Sequence, residues 1–329
     1  MVKQPLFAFL TKYRLVLILL IAFTVRLDVA WLQWYNVNFS IQQDNYADYA
    51  QAVINNSPSG IILADRRLFP LYPLLIAAIT VFTQSTVISG ITISLFSSLA
   101  VIGLFYLLTR NFWLTFLFSL FPPIWLELGV KVATEPLAVF LLLLSFYAFL
   151  QQKNLLAGII LGLAVDVRLI SLALLPALLF QIFQTQQYRR PKPLMIGFFA
   201  GLLPWFLFNV RFWGVGNILL QFVTYPSIAQ ASFSFLTLPA DILRTLDWGQ
   251  YKILFSGLFY LAITATSFLS LLKLTAKTPV EKILTVWLAA SLAFILLFSP
   301  KTLLDDFGRY TIPFLPATIY GLGKIYNHR

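Results

Sequence analysis

The sequence contains no cysteine and one histidine, His328, beside its last residue. The first absence excludes disulfides, thiolate nucleophiles and cysteine-ligated metal sites, and the second leaves no imidazole for catalysis within a membrane. Charge is also sparse. Asp, Glu, Lys and Arg make up 11% of 329 residues against 60% hydrophobic, with a mean hydropathy of +0.85. So little polar surface cannot cover a soluble globule of this size. There is no glycine-rich phosphate loop, internal repeat or low-complexity linker, and no polar segment is large enough to fold alone.

What the chain has instead is apolar runs of spanning length, separated by short polar breaks. Runs such as Leu141 to Leu144 do not alternate, which points to helices rather than a membrane barrel. The expectation is an all-α polytopic membrane protein of about 11 transmembrane helices, forming one integral membrane domain over residues 1–329. The predicted spans are 10–32, 70–83, 85–108, 112–126, 132–150, 154–166, 168–183, 194–212, 252–272, 280–299 and 308–326. The apolar stretch from Leu15 to Val25 runs on into Trp31, Trp34 and Tyr35, an interfacial aromatic belt, and is read as an anchor rather than a signal peptide.

The net charge of +11 is spread over loops, with no dense patch for nucleic acid. Lys3, Lys12 and Arg14 precede the first span. Arg189, Arg190 and Lys192 fill one later loop, and Lys273, Lys277 and Lys282 fill another. By the positive-inside rule these loops, with Lys324 and Arg329, are cytoplasmic. Segments 33–69 and 214–250 then lie outside. Counting crossings from the two termini gives answers that differ by one, within residues 70–126, so one of the three short segments there is expected to be re-entrant or to span only half the membrane.

Segment 33–69 is the most informative. Asp44, Asp48, Gln51 and Asn55 fall at i, i+4, i+7 and i+11, with Tyr46, Tyr49, Ala50 and Val53 opposite. That spacing predicts a short amphipathic helix near 44–54 lying on the membrane surface, with Asp44 at its N-terminus, where a carboxylate also suits a capping role. The segment ends in Arg66 and Arg67 at a membrane entry point, against the charge bias of the outer side. An anion such as a lipid phosphate holds arginines at that depth, and snorkelling to headgroups is the plainer reading. Lys131 and Glu135 stand four apart, at ion-pair spacing, although Pro136 marks a helix start and suits Glu135 to a cap. Asp166 and Arg168 interrupt an apolar stretch, where charges are seldom kept without a partner or a task. Asp305, Asp306, Arg309 and Tyr310 gather on an outer loop, with the adjacent carboxylates read as solvated rather than metal-binding. These candidates all fall on the outer face.

The order of these features resembles the membrane-embedded glycosyltransferases of the GT-C fold, over nearly the whole chain. Asp44-x-x-x-Asp48-Tyr49-Ala50 is followed by Leu68-Phe69-Pro70-Leu71-Tyr72-Pro73-Leu74-Leu75, which resembles a re-entry segment of PIG-V-like mannosyltransferases. Thr134-Glu135-Pro136-Leu137, Leu156-Ala157-Gly158 through Arg168, Leu203-Pro204-Trp205 and Arg309-Tyr310 are similar to segments of both PIG-V-like and aminoarabinose-transferase-like members. The first loop carries Gln43-Asp44 where the PIG-V pattern has a Trp-Asp pair, and it has no His-Phe pair. The soluble C-terminal domain of many aminoarabinose transferases is not in this sequence.

The resemblance implies an inverting sugar transfer from a polyprenyl-phosphate donor to an acceptor hydroxyl on the outer face of a bacterial plasma membrane. Mannose is one sugar it suggests, and a lipid, glycan or protein is the acceptor. An inverting displacement needs one carboxylate base and cations for the departing phosphate. Asp44 is the expected base with Asp48 as substitute. Arg66, Arg67, Arg168 and Arg309 are the expected donor-phosphate ligands, and Lys131, Glu135, Tyr72 and Tyr310 the supporting residues. No cofactor or metal is expected. Two rivals remain, a lipid or solute transporter or flippase and an inactive GT-C-like subunit; inverted repeats and midplane charges would mark the former.

Overall fold

The computed structural model describes residues 13–35, 44–57, 69–186, 190–214, 251–273, 278–298 and 308–327. Among them every regular element is helical. Four helices are long and apolar enough to cross a membrane: Arg14–Gln33, Thr86–Thr109, Pro191–Phe212 and Phe255–Leu272.

The chain opens with α1 (Arg14–Tyr35), then the short α2 (Tyr46–Ile54) and α3 (Leu71–Thr83). Next comes α4 (Thr86–Thr109), started by Ser85, whose hydroxyl accepts the Ile88 N–H at 3.4 Å, as an N-cap residue does. The predicted span at 112–126 is two pieces, α5 (Phe112–Leu120) and α6 (Pro123–Leu128), because Pro122 and Pro123 have no N–H to continue the ladder. Then follow α7 (Glu135–Leu150), α8 (Asn154–Val167), a 3-10 turn at Leu169–Ala173 and α9 (Leu174–Gln184). Helices α10 (Pro191–Gly201) and α11 (Leu203–Trp213) meet at Leu202, two residues before Pro204. The series ends with α12 (Tyr251–Lys273), α13 (Pro279–Phe298), a 3-10 turn at Ile312–Phe314 and α14 (Leu315–Asn327).

Trp125, Trp287, Phe118, Phe146 and Phe314 fill the main core. The outer surface is apolar too. Leu20, Trp31, Leu32, Phe96, Trp113, Leu207 and Phe255 are exposed, where a helix of a soluble protein would present charge. Lipid is the solvent that makes such a surface favourable.

Helices α8 and α10 approach backbone to backbone. Gly158 and Gly162 on one face Gly197 and Gly201 on the other, each pair four residues apart. A Cβ added at Gly158 would lie 2.1 Å from the Leu194 carbonyl oxygen, and one at Gly201 would lie 2.1 Å from that of Ile159. Small residues at this spacing let helices pack by van der Waals contact where no hydrophobic force between them exists.

Two ends of the bundle can be told apart by contacts. At one, Arg14 lies over the Phe112 ring at 5.9 Å, Leu114 packs against Gly323, and Lys324 pairs with Glu281 at 2.6 Å. At the other, Ser94 of α4 donates to the Ala133 carbonyl at 3.0 Å, just before α7. Helix α4 thus descends from Ser94 to the basic end at Thr109. Its first eight residues, about 12 Å of helix, rise beyond Ser94. Helix α3 is zipped to that upper part by Thr80 and Ser89, whose hydroxyls are 3.0 Å apart. The turn between α3 and α4 therefore stands away from the basic end.

Candidate functional site

At the end opposite Arg14 and Lys324, four ionisable residues from four separate parts of the chain meet. Glu135 opens α7 and is fully buried. Arg168 follows the last residue of α8 in extended backbone, which turns its side chain back toward α7. Arg309 lies in a helical turn at 308–311, and Asp44 precedes α2.

The Arg168 guanidinium donates to Glu135 Oε1 and, at 3.3 Å, to the Thr134 hydroxyl. Arg309 Nε donates to the same Glu135 oxygen. The other edge of Arg309 forks onto Asp44, with one nitrogen bonded to Oδ2 and another 3.4 Å from Oδ1. Charge-assisted, forked pairs of this kind are the stronger hydrogen bonds of proteins and hold both partners in plane. The chain of contacts runs Asp44, Arg309, Glu135, Arg168, and its formal charges sum to zero.

The four differ in access to water. The Asp44 side chain is 30% exposed, while that of Glu135 is 0% exposed and those of the arginines are nearly covered. Below Arg168 lies the Tyr310 ring, 5.9 Å from its guanidinium carbon, a cation–π arrangement. Beside Asp44 sits Tyr46, packed edge-on against Tyr72 with ring centres 5.3 Å apart. Burial pushes the Tyr46 phenol well above its usual range, and the Asp44 carboxylate pushes it the same way, so Tyr46 stays neutral.

Tyr72 supports the site from behind. Its hydroxyl accepts the Ala133 N–H at 3.1 Å and lies 3.0 Å from both the Gly90 carbonyl and the Ser94 hydroxyl. These bonds pin the loop that delivers Thr134 and Glu135. Helix α2 is held by its own apolar face. Tyr46, Ala47, Tyr49, Ala50 and Ala52 are buried, and Tyr49 meets Phe208 of α11 at 5.9 Å. The spacing argument expected that face to rest on lipid; protein covers it instead, because α3 and α11 present aromatic side chains to it.

Other expectations are revised by the geometry. The α2 N-cap position belongs to Asn45 and no side chain caps it, so the Asp44 carboxylate is spent on Arg309 rather than on the helix end. Asp48 is exposed on the opposite face of α2, apart from the cluster. Lys131 pairs with Glu127 rather than Glu135, because α7 begins only at Glu135 and Lys131 lies in the preceding loop. Asp166 is fully buried and faces the Leu71 and Trp205 N–H groups at the starts of α3 and α11, outside ordinary hydrogen-bond geometry. Arg66, Arg67, Asp305 and Asp306 lie outside the described residues. No group of three or more His, Cys, Asp or Glu gathers among the described residues.

Three residues were not singled out by the motif reading. Tyr46 and Thr134 read as ordinary members of an apolar face and a helix start. Arg26 interrupts the first apolar run, which was the available signal. It is buried at mid-helix, donates to the Ser98 hydroxyl at 2.9 Å and to the Ser119 carbonyl at 3.2 Å, and lies 5.8 Å from the Trp125 ring. A cation there satisfies a carbonyl left open where α5 ends.

No protein-family model, curated protein or solved structure matches the chain.

Proposed function

We propose that the protein is a membrane glycosyltransferase that moves a sugar from a polyprenyl-phosphate donor to an acceptor hydroxyl, with inversion at the anomeric carbon. The observation that carries this reading is one partly exposed carboxylate, Asp44, joined through Arg309 and Glu135 to a second guanidinium, Arg168. A base and phosphate-binding cations are the two things that such a displacement asks of a protein.

In the reaction, Asp44 accepts the proton of the acceptor hydroxyl. The acceptor oxygen forms a bond to the anomeric carbon on the face opposite the phosphate, and the carbon–oxygen bond to the phosphate breaks. Its electron pair leaves with the phosphate oxygen, whose charge Arg309 and Arg168 offset. Glu135 holds both guanidiniums in place and itself stays out of the chemistry. Asp44 returns its proton to water.

With the basic loops cytoplasmic, the crossings are α1, α4, α5 with α6, α7, α8, α9, α10 with α11, α12, α13 and the segment 308–327. That is ten, one fewer than the sequence count because α3 stays on the site side, and it returns both termini to the cytoplasm. The cluster then faces outward, where a donor tail in lipid and an acceptor from water can meet. A transporter is the competing reading, supported by the buried Arg26 at mid-helix.

The test is turnover of polyprenyl-phosphate-linked mannose, glucose and aminoarabinose by the purified protein in detergent, read as release of polyprenyl phosphate. Transfer should appear with one of them. Asp44→Asn should slow it by about 10²-fold or more, the scale of a lost general base. Full activity in Asp44→Asn would remove this assignment of the base, and absence of turnover with every donor would remove the enzyme.

A further inference from the structure

Among the described residues the cluster has no free cation. Arg309 is divided between Asp44 and Glu135, and Arg168 between Glu135 and Thr134. Two carboxylates balance two guanidiniums. An anion entering without displacing anything would leave the buried group with net negative charge, and an uncompensated buried charge is strongly disfavoured. A carboxylate has to give way.

Only one of the two can. Glu135 is fully buried, opens α7 and is held by both arginines at once, so its release would strand two cations. Asp44 is 30% exposed and bonded to Arg309 alone among these groups. It also sits beside the first turn of α2, which no side chain caps, so a displaced carboxylate has backbone N–H groups close at hand in its own segment. Moving one step toward water is inexpensive for Asp44 and prohibitive for Glu135.

We infer that the phosphate of the donor binds by taking the place of Asp44 on Arg309, and that this exchange frees the carboxylate to act as base. The inference rests on the transferase reading and adds an order to it. Without donor, Asp44 is tied to a cation; with donor, it is released toward the acceptor. The charge released is a single positive one, which suits an anion carrying one negative charge, such as the phosphodiester of a lipid-linked sugar. A diphosphate would leave the site overcharged.

The experiment measures binding of farnesyl methyl phosphate, a phosphodiester with the single negative charge of the donor, and of inorganic phosphate to the protein in neutral phosphatidylcholine nanodiscs. Wild type is compared with Asp44→Asn, Asp44→Ser and, as a control on the exposed face of α2, Gln51→Ala. Removing the competing carboxylate should tighten farnesyl methyl phosphate binding about tenfold in both Asp44 variants and leave Gln51→Ala unchanged, a tenfold change being 1.4 kcal/mol. Unchanged or weaker binding in both Asp44 variants overturns the exchange, even if sugar transfer is found. A gain in affinity with no transfer from any donor keeps the exchange and removes the transferase reading. An equal gain for inorganic phosphate overturns the lipid-linked source while leaving the displacement of Asp44 in place.

Discussion

Arg309 donates through Nε to Oε1 of Glu135, a residue 174 positions earlier, while its outer edge holds Asp44. Glu135 is thus the centre of the cluster and Asp44 its rim. Removing the centre leaves two guanidiniums without their shared acceptor in a place that water does not reach. Glu135→Gln should therefore cost about 3–5 kcal/mol, the usual penalty for breaking a buried pair, and Asp44→Asn clearly less. Thermal unfolding in detergent with both variants side by side checks the order, and equal losses would show that Glu135 is not the anchor.

Arg168 and Arg309 should separate from Asp44 in kinetics. Each is proposed to hold donor phosphate, so Arg168→Ala should weaken donor binding by about 1.5–3 kcal/mol, or roughly 10- to 100-fold, the range for a lost charge-assisted hydrogen bond. Arg168→Lys should recover only part of this, since an ammonium cannot reproduce the planar fork. Titration with farnesyl methyl phosphate reads it. Wild-type affinity in Arg168→Ala would take Arg168 out of the donor site.

The glycine interface gives a prediction with an internal control. Gly158→Ala or Gly201→Ala puts a methyl 2.1 Å from a carbonyl oxygen, so α8 and α10 must separate, at a cost of about 1–3 kcal/mol. Gly103 lies in mid-helix in α4 with nothing within 4 Å of an added Cβ, so Gly103→Ala should stabilise by about 0.5–1 kcal/mol. Opposite signs in one melting series are expected. A loss at Gly103 equal to that at Gly158 would show that helix contact is not the cause.

The absence of cysteine makes topology directly testable. Single cysteines at Asp48, Gln84 and Lys153, all exposed, would sit in α2, the α3–α4 turn and the α7–α8 turn. An impermeant maleimide on intact cells should label the first two and reach Lys153→Cys only after the membrane is opened. Labelling of Gln84→Cys only after opening would mean that α3 crosses the bilayer.

The amino-acid sequence alone determined that this chain is helical and shaped for lipid. Those properties follow from composition and local periodicity, as for the runs of α1 and α4 and the polar stripe of α2. Asp44, Glu135, Arg168 and Arg309 were also legible as candidates, because an ionisable residue at a membrane edge is costly enough to stand out singly. Their pairing was not. Lys131 with Glu135 obeyed helix spacing and proved wrong, while Glu135 with Arg309 obeys no spacing at all and exists only because α7, the end of α8 and the 308–311 turn converge. The packing partner of α3 was likewise not legible from hydropathy, since 13 residues make only about 20 Å of helix and composition alone does not say which helix they lie against. Tertiary packing set its place, with the Tyr72 hydroxyl on the Gly90 carbonyl and the Thr80 hydroxyl beside that of Ser89, so that α3 lies along the first part of α4. Burial energy is local and can be read along a chain; hydrogen bonds and ion pairs depend on which distant segments come within about 3 Å of each other, and only the folded arrangement sets that.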